Sequence, residues 1–422
     1  KEHMNRDYPV NNKEDFVIEL PSQVEWILKK LRDRGYEAFA VGGCVRDTIL
    51  NRKPGDWDIT TSARPEQVKA VFGKTVDTGL QHGTVTVIRD HVGYEITTYR
   101  IDGEYEDGRH PKEVEFTADL REDLRRRDFT INAMAYSHET GLVDIFGGLE
   151  DLKAGRIRCV GNAMERFTED ALRIMRAVRF AAQLNFTIEE ETWRALSAIA
   201  PNLSHVSKER IQTELTKTLL SGNPQGVLAM EETGMSPYMT QSFPDIFSEA
   251  KSRGICLEER LRRSAELPAE KYFRYGALLA HLGEKKTETI LRELKLDNHT
   301  IRSAKTLAAF SGLPLPTEEG AVRKTMSQME DWLFDAFLIF ERNLLPEKRE
   351  LAEQAETLCR RIRERGDCVR MKDMKVTGND LMEAGVKPGK TVGETLARLF
   401  AEVLEDPQKN SREELLSMAF NG

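Results

Sequence analysis

The chain has 422 residues and a formal net charge of −8, and 40% of its residues are hydrophobic while 31% are charged. This length predicts two to four domains, and the balance of apolar and charged residues excludes a disordered protein. We find neither an apolar run of roughly 18 residues nor a signal-peptide pattern, so we expect a soluble protein without a membrane span. The five cysteines form no CxxC pair, which favours a reducing cytoplasm and no structural zinc. The acidic excess disfavours a nucleic-acid coat but still permits local basic surfaces.

The first 150 residues or so predict a mixed α/β region. Apolar spacing indicates a helix from Val24 to Leu31, and Pro65 suits the first turn of a second helix. Alternation of apolar and polar residues predicts strands in several other stretches. In chain order these predictions are the strand "YEAFAVGG", the helix "RPEQVKAVF", the paired strands "GTVTVIRD" and "GYEITTYRI", the strand "EVEF", the helix "DFTINAMAY" and a closing turn in "VDIFGGLEDL".

The pattern changes after Met164, where helical spacing dominates and we predict no strand. The helical stretches are "EDALRIMRAVRFAAQL", "ERIQTELTKTLL", "ERLRRSAEL", "KTETILRELK" and "GETLARLFAEVL". We therefore expect an α/β head followed by an elongated run of all-α domains.

The stretch "PGDWDIT", Pro54–Thr60, places two aspartates two residues apart at the entry to a strand. In an extended segment Asp56 and Asp58 point to the same face, where their like charges repel unless a cation lies between them. A Pro-Gly-Asp turn is the plainer interpretation, because these residues are ordinary in turns.

Two further features suit a phosphate and metal site. In "VGGCVRD", Gly42 and Gly43 follow an apolar strand and allow a phosphate to approach the backbone, and Arg46 can neutralise it, although a Gly-Gly turn is common. Glu95, in "GYEITTYR", is a candidate third carboxylate, although strand glutamates are commonly solvent-facing. Three carboxylates beside a phosphate loop would hold two Mg²⁺ ions, which suits in-line nucleotidyl transfer.

The stretch "EDLRRRDFTINAMAY" carries Arg125, Arg126 and Arg127, which are either a solvated charge run or phosphate contacts. On the predicted helix, Asp128 and Asn132 lie four residues apart on one face, where they can hold a ribose hydroxyl.

The segment "ERFTEDALRIMRAVRF" has two interpretations. Thr168 can cap a helix whose first turn carries Glu169 and Asp170. Alternatively, Asp170 and Arg173 are neighbours that read a base: the carboxylate accepts from an exocyclic amino group, and the guanidinium donates to a ring nitrogen. Cytosine and adenine share that pattern, whereas uracil and guanine present the opposite one.

These motifs together resemble the bacterial class II tRNA nucleotidyltransferases, the CCA-adding enzymes of the polymerase-β-like superfamily. The resemblance rests on "GGCVRD", "PGDWDIT", "RRDFTINAMA", "DIFGGLEDL", "EDALRIMRAVRF" and "SKERIQTELTKTLL". It covers about residues 36–220, and "VTGNDLMEAGVKPGKTVGETL" is similar to the tail of Gram-positive members. The resemblance implies a catalytic head at 1–155, a nucleotide-selecting neck at 156–229, a body at 230–325 and a tRNA-binding tail at 326–422.

The resemblance also implies substrates and roles: Mg²⁺ as cofactor, CTP and ATP as substrates, tRNA as partner, and no nucleic-acid template. Asp56 and Asp58 would be the metal carboxylates, with Glu95 as the third catalytic carboxylate. The nucleotide would be bound by Gly42, Gly43, Arg46, Arg127, Asp128, Asn132, Asp170, Arg173, Glu169, Arg176 and Arg179. Within this set Asp170 and Arg173 template the base, and Glu169 orients Arg173.

Several alternatives within and outside the family stay open. The segment "RIDGEYEDGRHPKEVEF" resembles the flexible loop that CC-only enzymes lack, and we assign Asp102, Tyr105, Asp107 and Arg109 to it. An A-adding enzyme would keep nearly every motif, whereas an inactive RNA-binding relative is expected to have lost a carboxylate or the Asp-Arg pair, and this sequence has them all. Lys387 and Lys390 in "GVKPGKTVG" precede a helix and are either RNA contacts or an ordinary loop.

Overall fold

The structure is a computed structural model that describes Tyr8, residues 17–102 and residues 114–421, with only the backbone of Asp102. It divides into two compact units, Lys1–Phe243 and Pro244–Gly422. The division into head, neck, body and tail stays a prediction. In the described part of the chain, no helix is long and apolar enough to cross a membrane.

The first unit contains the strands of the fold. Those in the described residues are β1 Ala38–Val41, β2 Ile59–Thr61, β3 Thr75–Gly79, β4 Thr84–Arg89, β5 Val92–Thr98, β6 Arg100–Asp102, β7 Val114–Phe116, β8 Ala135–Ser137, β9 Gly141–Val143, β10 Arg156–Ile157 and β11 Thr187–Ile188. Seven of them form one mixed sheet in the order β3-β4-β5-β2-β1-β8-β9. β2 runs parallel to β5 and antiparallel to β1, which places the end of β1 beside the entry to β2.

Helices cover the sheet and continue beyond it. In the first unit they are α1 Ser22–Asp33, α2 Gly43–Ile49, α3 Pro65–Val71, α4 Leu120–Arg125, α5 Gly148–Ala154, α6 Ala163–Glu169, α7 Leu172–Leu184, α8 Glu190–Ile199, α9 Lys208–Leu219, α10 Leu228–Glu232 and α11 Ser236–Met239. The residues of α1 at helical spacing (Val24, Ile27, Leu28 and Leu31) are all buried, as their period predicts.

The described part of the second unit consists of helices, short 3-10 turns and loops. Its helices are α12 Asp245–Ser252, α13 Leu257–Ser264, α14 Lys271–Leu279, α15 Gly283–Glu293, α16 Asn298–Ser311, α17 Glu319–Ser327, α18 Asp331–Leu344, α19 Arg349–Arg365, α20 Gly378–Glu383, α21 Lys390–Glu405 and α22 Arg412–Ala419. The mixed α/β region and the helical region after it, expected from the sequence, are therefore both confirmed.

The prediction of a helix over "DFTINAMAY" is wrong. Phe129 instead bridges to Cys159, Thr130–Asn132 forms one 3-10 turn, and Ala135–Ser137 joins the sheet beside β1. The intervening residues are buried on all sides, so their apolar run carried no periodicity that separates a helix from a strand.

The prediction that Thr168 caps a helix is also wrong, as is the absence of strands after Met164. Asn162 caps α6, and the Thr168 hydroxyl donates to the Met164 carbonyl inside that helix at 2.6 Å. The side chain of Asp170 accepts from the amide of Leu172 at 3.1 Å, at the start of α7. β11 pairs with β10, a partner that only the tertiary fold supplies.

Gly148, at the start of α5, has no room for a side chain. A Cβ there would collide with the Thr130 carbonyl and lie 2.9 Å from Cγ of Met134. We expect Gly148→Ala to lower the free energy of unfolding by about 1–3 kcal/mol, since overpacking forces the neighbours to shift. Calorimetric unfolding would measure it, with Gly73→Ala as the control because nothing lies within 4 Å of that position. Equal thermal midpoints for the two variants would contradict the prediction.

Candidate active site

A cavity of about 580 Å³ lies in the first unit, between the sheet and helices α2, α7 and α9. Seven arginines and four aspartates line it, so its charged side chains sum to a positive charge. The lining residues are Gly42, Gly43, Arg46, Asp56, Asp58, Arg126, Arg127, Asp128, Asn132, Asp170, Leu172, Arg173, Arg176, Arg179, Phe180 and Arg210. The cavity thus contains the sequence-predicted site residues apart from Glu95, Glu169, the loop residues and the two lysines.

The turn after β1 brings backbone close to an arginine. Gly42 has φ of 83°, in the left-handed region that favours glycine, and a Cβ there would lie 3.1 Å from Nη1 of Arg127. The amide of Gly42 donates to the Met134 carbonyl at 3.1 Å, and the amide of Val41 donates to the Asp58 carbonyl at 3.0 Å. These bonds fix the glycine turn relative to the segment that carries the paired aspartates.

Asp56 and Asp58 reach the cavity just before β2 begins. The Asp58 side chain is exposed, but protein surrounds much of the space around its carboxyl. This partial burial raises the pKa of Asp58; Arg127 lowers it, and the neighbouring charge of Asp56 raises it further. An added cation would relieve the repulsion between the two carboxylates. An ordinary Pro-Gly-Asp turn would not require such a cation.

Glu95 lies at the corresponding position of the neighbouring strand, because β2 and β5 pair with Ile59 opposite Ile96. Its side chain is exposed and does not line the cavity. In residues 17–101 and 114–421, no group of three or more His, Cys, Asp or Glu side chains is arranged to hold a metal ion. The role of Glu95 as third carboxylate therefore stays a prediction.

Asp128 and Asn132 meet through the 3-10 turn rather than on a helix. The Asn132 amide donates to Oδ1 of Asp128 at 3.2 Å, and its carbonyl oxygen accepts from Nη1 of Arg46 at 2.6 Å. Arg176 donates to Oδ2 of Asp128 at 2.7 Å. Burial disfavours the Asp128 charge most strongly, but Arg176, Arg173 and the Asn132 hydrogen bond outweigh it and lower the pKa of Asp128 to about 2.

The three arginines at 125–127 do not all fit the same one of the two interpretations that the sequence left open. Arg125 is exposed and pairs with Glu122, as a solvated charge does. Arg126 and Arg127 line the cavity, and both approach the fully buried carboxylate of Asp123, at 3.5 and 3.6 Å. The buried aspartate therefore holds these two cations at the cavity wall.

The predicted base-reading pair lies where α6 meets α7. Oε2 of Glu169 accepts from Nη1 of Arg173 at 2.8 Å, and the same guanidinium donates to the carbonyls of Arg166 and Arg126. Oδ2 of Asp170 accepts from Arg210 at 3.0 Å. Both members of the pair are therefore held in a defined orientation at the cavity.

Arg176 and Arg179 lie on α7. With the other arginines of the cavity lining they form what we call the cationic wall, which consists of Arg46, Arg126, Arg127, Arg173, Arg176, Arg179 and Arg210. Arg179 is buried, pairs with Glu214 of α9 and donates to the side chain of Gln183 at 3.1 Å. Burial lowers the pKa of Arg179, an effect that the Glu214 carboxylate opposes.

The other predicted residues lie outside the cavity or outside the residues that the structure describes. Of the flexible loop, Tyr105, Asp107 and Arg109 fall outside the described residues, as does the Asp102 side chain. Lys390 begins α21 after Gly389, which has φ of 106°, and pairs with Glu394 at 3.3 Å. Lys387 is exposed in the turn before that helix.

Three cavity residues were missed from the sequence, Leu172, Phe180 and Arg210, and Arg126 was considered only as part of the arginine run. Arg210 stands in the motif "SKERIQTELTKTLL", which indicated only a helix, and the fold turns that helix toward Asp170. Phe180 ends the motif "EDALRIMRAVRF", where the spacing predicted a helix but no role for this aromatic residue.

Three family models of known proteins match much of the chain. The family models described as "Poly A polymerase head domain", "Probable RNA and SrmB- binding site of polymerase A" and "tRNA nucleotidyltransferase domain 2 putative" match residues 38–158, 185–247 and 273–419. The CCA-adding enzyme of Ligilactobacillus salivarius is 39% identical over 396 residues, covering 93% of this chain and 94% of the relative. That of Geobacillus thermodenitrificans is 43% identical over 297 residues, covering 69% and 70%.

A solved structure extends the similarity to the fold. The crystal structure of the Bacillus stearothermophilus CCA-adding enzyme in complex with CTP superposes with a TM-score of 0.77 at 32% identity, covering 96% of this chain and 98% of that one. The sheet, its cavity and the matched head domain define a nucleotidyltransferase. Given such identity across almost its whole length, the chain belongs to the CCA-adding enzymes, a family of tRNA nucleotidyltransferases.

The ion pair between Asp170 and Arg210 is testable without any substrate. Because these side chains are only 16% and 21% exposed, we expect a double-mutant cycle of Asp170→Asn and Arg210→Gln to give a coupling energy of about 1 kcal/mol in unfolding. The matched cycle on Glu190 and Arg194, which are 77% and 70% exposed, should give less. Additive effects in the first cycle would show that the pair contributes nothing to stability and would contradict the prediction.

Proposed function

We propose that this chain adds C, C and A to the 3′ end of tRNA, using CTP and ATP, releasing diphosphate and using no nucleic-acid template. One observation supports this most: a single cavity brings together the aspartate pair, a cationic wall and the Asp170–Arg173 pair. Nucleotidyl transfer needs those three parts to activate the reaction centre, hold the triphosphate and choose the base.

The cationic wall suits the triphosphate of the incoming nucleotide. Guanidinium groups match phosphate geometry and stay charged when buried, which makes arginine the usual residue for such contacts. The backbone at Gly42 and Gly43 can approach a phosphate closely, with Arg46 and Arg127 beside it. Asp128 and Asn132 are the polar groups that we assign to the ribose side of the nucleotide.

Membership of a nucleotidyltransferase family implies use of a divalent metal ion, and we propose Mg²⁺. The aspartate pair fits it: both groups are hard oxygen donors, and burial, together with the repulsion between the two charges, raises the pKa of Asp58. When bound, the metal would activate the tRNA 3′ hydroxyl and offset charge on the triphosphate. We assign the ligands to Asp56 and Asp58, with Glu95 as a third carboxylate beside them.

Base selection is assigned to Asp170 and Arg173. A carboxylate oxygen can accept more than one hydrogen bond, so Asp170 can bind an amino group while it keeps Leu172 and Arg210. Glu169 accepts a hydrogen bond from Arg173 and so fixes the direction of the Arg173 guanidinium group. The pair then offers one acceptor and one donor, which matches cytosine and adenine.

The remaining assignments concern RNA contact, domains and location. We keep the head at 1–155, neck at 156–229, body at 230–325 and tail at 326–422, with Lys387 and Lys390 as phosphate contacts in the tail. The start of α21 beside these lysines supports that role, because helix N-termini favour anions. A cytoplasmic location agrees with cysteines that are all free.

Incubating the chain with Mg²⁺, CTP and ATP tests the function directly. Two tRNA transcripts would be used, one ending before CCA and one ending after CC. Extension of both to CCA would support the proposal, extension of the second alone would indicate an A-adding enzyme, and extension of neither would indicate an inactive RNA-binding protein.

The aspartate pair gives a sharp prediction. We expect Asp56→Ala and Asp58→Ala each to reduce C and A addition by at least ~10³-fold, the scale of losing a main electrostatic stabiliser. Both variants should fold, because each substitution relieves repulsion. Asp77→Ala is the matched control, since Asp77 is exposed and lies outside the cavity. Near-normal addition by either cavity variant with Mg²⁺ would overturn the assignment.

Asp170 gives a different prediction, because metal and triphosphate contacts remain when it is removed. We expect Asp170→Ala to weaken discrimination against UTP and GTP by about 1–3 kcal/mol, the scale of a good bidentate base contact. Incorporation assays with each nucleotide singly would measure it, with Glu165→Ala on the exposed side of α6 as control. A uniform loss of activity with the C and A preference intact would show that Asp170 only shapes the start of α7.

A further inference from the structure

One aromatic ring in the cavity wall contacts three of its arginines. The guanidinium carbons of Arg179, Arg46 and Arg176 lie 4.1, 5.0 and 5.3 Å from the centroid of the Phe180 ring. All three distances are within the range in which a cation is attracted to an aromatic face. Arg46 comes from α2 and the other two from α7, so the ring joins two helices through their cations.

Each of these arginines also has its own acidic neighbour. Arg46 pairs with Asp47, Arg176 with Asp128, and Arg179 with Glu214. Among the described residues, no single carboxylate forms an ion pair with all three, whereas the Phe180 ring contacts each of them. The ring is therefore a contact that all three cations have in common, in addition to their acidic and amide partners.

An aromatic ring differs from a carboxylate in what it does to a cation. A carboxylate at this position would attract the guanidinium groups but cancel part of their charge. A neutral ring attracts them through its quadrupole and leaves the charge available to a bound anion. Such a contact suits a wall whose positive charge must remain available to bind a phosphate chain.

The ring itself is held firmly. Phe180 is 5% exposed, and its ring meets that of Phe129 edge to face, with centroids 5.9 Å apart. Phe129 meets Phe167 in the same way at 6.4 Å. Phe129 directly follows Asp128, whose Oδ1 accepts from the Phe129 amide at 2.8 Å. The aromatic row therefore connects Phe180 to the segment that carries the polar groups of the cavity.

We infer that Phe180 is a positioning residue, whose ring holds Arg46, Arg176 and Arg179 in the spacing that grips the triphosphate of the incoming nucleotide. This inference rests on the proposed function for the identity of the anion. It does not place Phe180 in contact with the reacting atoms.

Fluorination of the ring separates its electronic role from its shape. Phenylalanines carrying one, two and three fluorines at position 180 keep nearly the same packing but attract cations progressively less. We expect the Kd for CTP and for ATP, measured by calorimetry without tRNA, to rise stepwise along this series. Phe180→Leu should raise both constants by about tenfold, the order expected for losing one or two cation–π contacts. Phe180→Tyr, which restores a ring, should recover most of the affinity.

Phe72→Leu is the matched control, because Phe72 is 5% exposed like Phe180 but lies outside both the aromatic row and the cavity lining. It should leave both nucleotide constants unchanged. Equal affinities across the fluorinated series would overturn the inference, even if Phe180→Leu binds poorly, since the ring would then only fill space. If the unaltered chain binds CTP but extends no tRNA, the proposed function fails, and the fluorinated series still decides the role of Phe180.

Discussion

The candidate site depends on one buried carboxylate, that of Asp128. It accepts from the Asn132 amide and from Arg176, and Asn132 in turn accepts from Arg46, so one hydrogen-bonded row crosses the cavity. Burying an aspartate is costly unless its charge is compensated, and here arginines lower its pKa to about 2. The same contacts fix the direction of those arginines. Removing the carboxylate would leave two walls of the cavity without their common partner.

The rest of the cavity repeats this use of buried acids to place cations. Asp123 holds two arginines of the same segment, Glu214 holds Arg179, and Asp170 holds Arg210. Each acid offsets part of the repulsion among the arginines, yet the lining keeps an excess of positive charge. Because the acids hold these arginines in place before an anion binds, binding requires little reorganisation of their side chains. The exposed pair Asp56 and Asp58 is the opposite case, a negative site at which Arg127 lowers the pKa of Asp58 while burial and Asp56 raise it.

Local patterns predicted many elements well because the periods of their apolar residues were clear. α1, α3, and the pair β4 and β5 follow the stretches expected for them. The wrong predictions lie where residues are completely buried or where two residues compete to cap a helix. Residues 129–136 are enclosed on all sides, so the sheet decided their structure by offering β1 as a partner. Asn162 starts a short helix early, which left Thr168 inside it and moved the next helix start to Leu172.

The sequence by itself determined the chemistry available: the aspartate pair, the glycine turn, the arginine-rich motifs and their order along the chain. Those features depend on residue type and short spacing, which a linear pattern records. Only the tertiary structure decided which groups meet across long separations, such as Arg210 with Asp170 or Phe180 with Arg46. It also left Glu95 outside the cavity lining. The physical reason is that strand order, helix direction and burial arise from packing of the whole unit, whereas hydrogen bonds and ion pairs act only over a few ångströms.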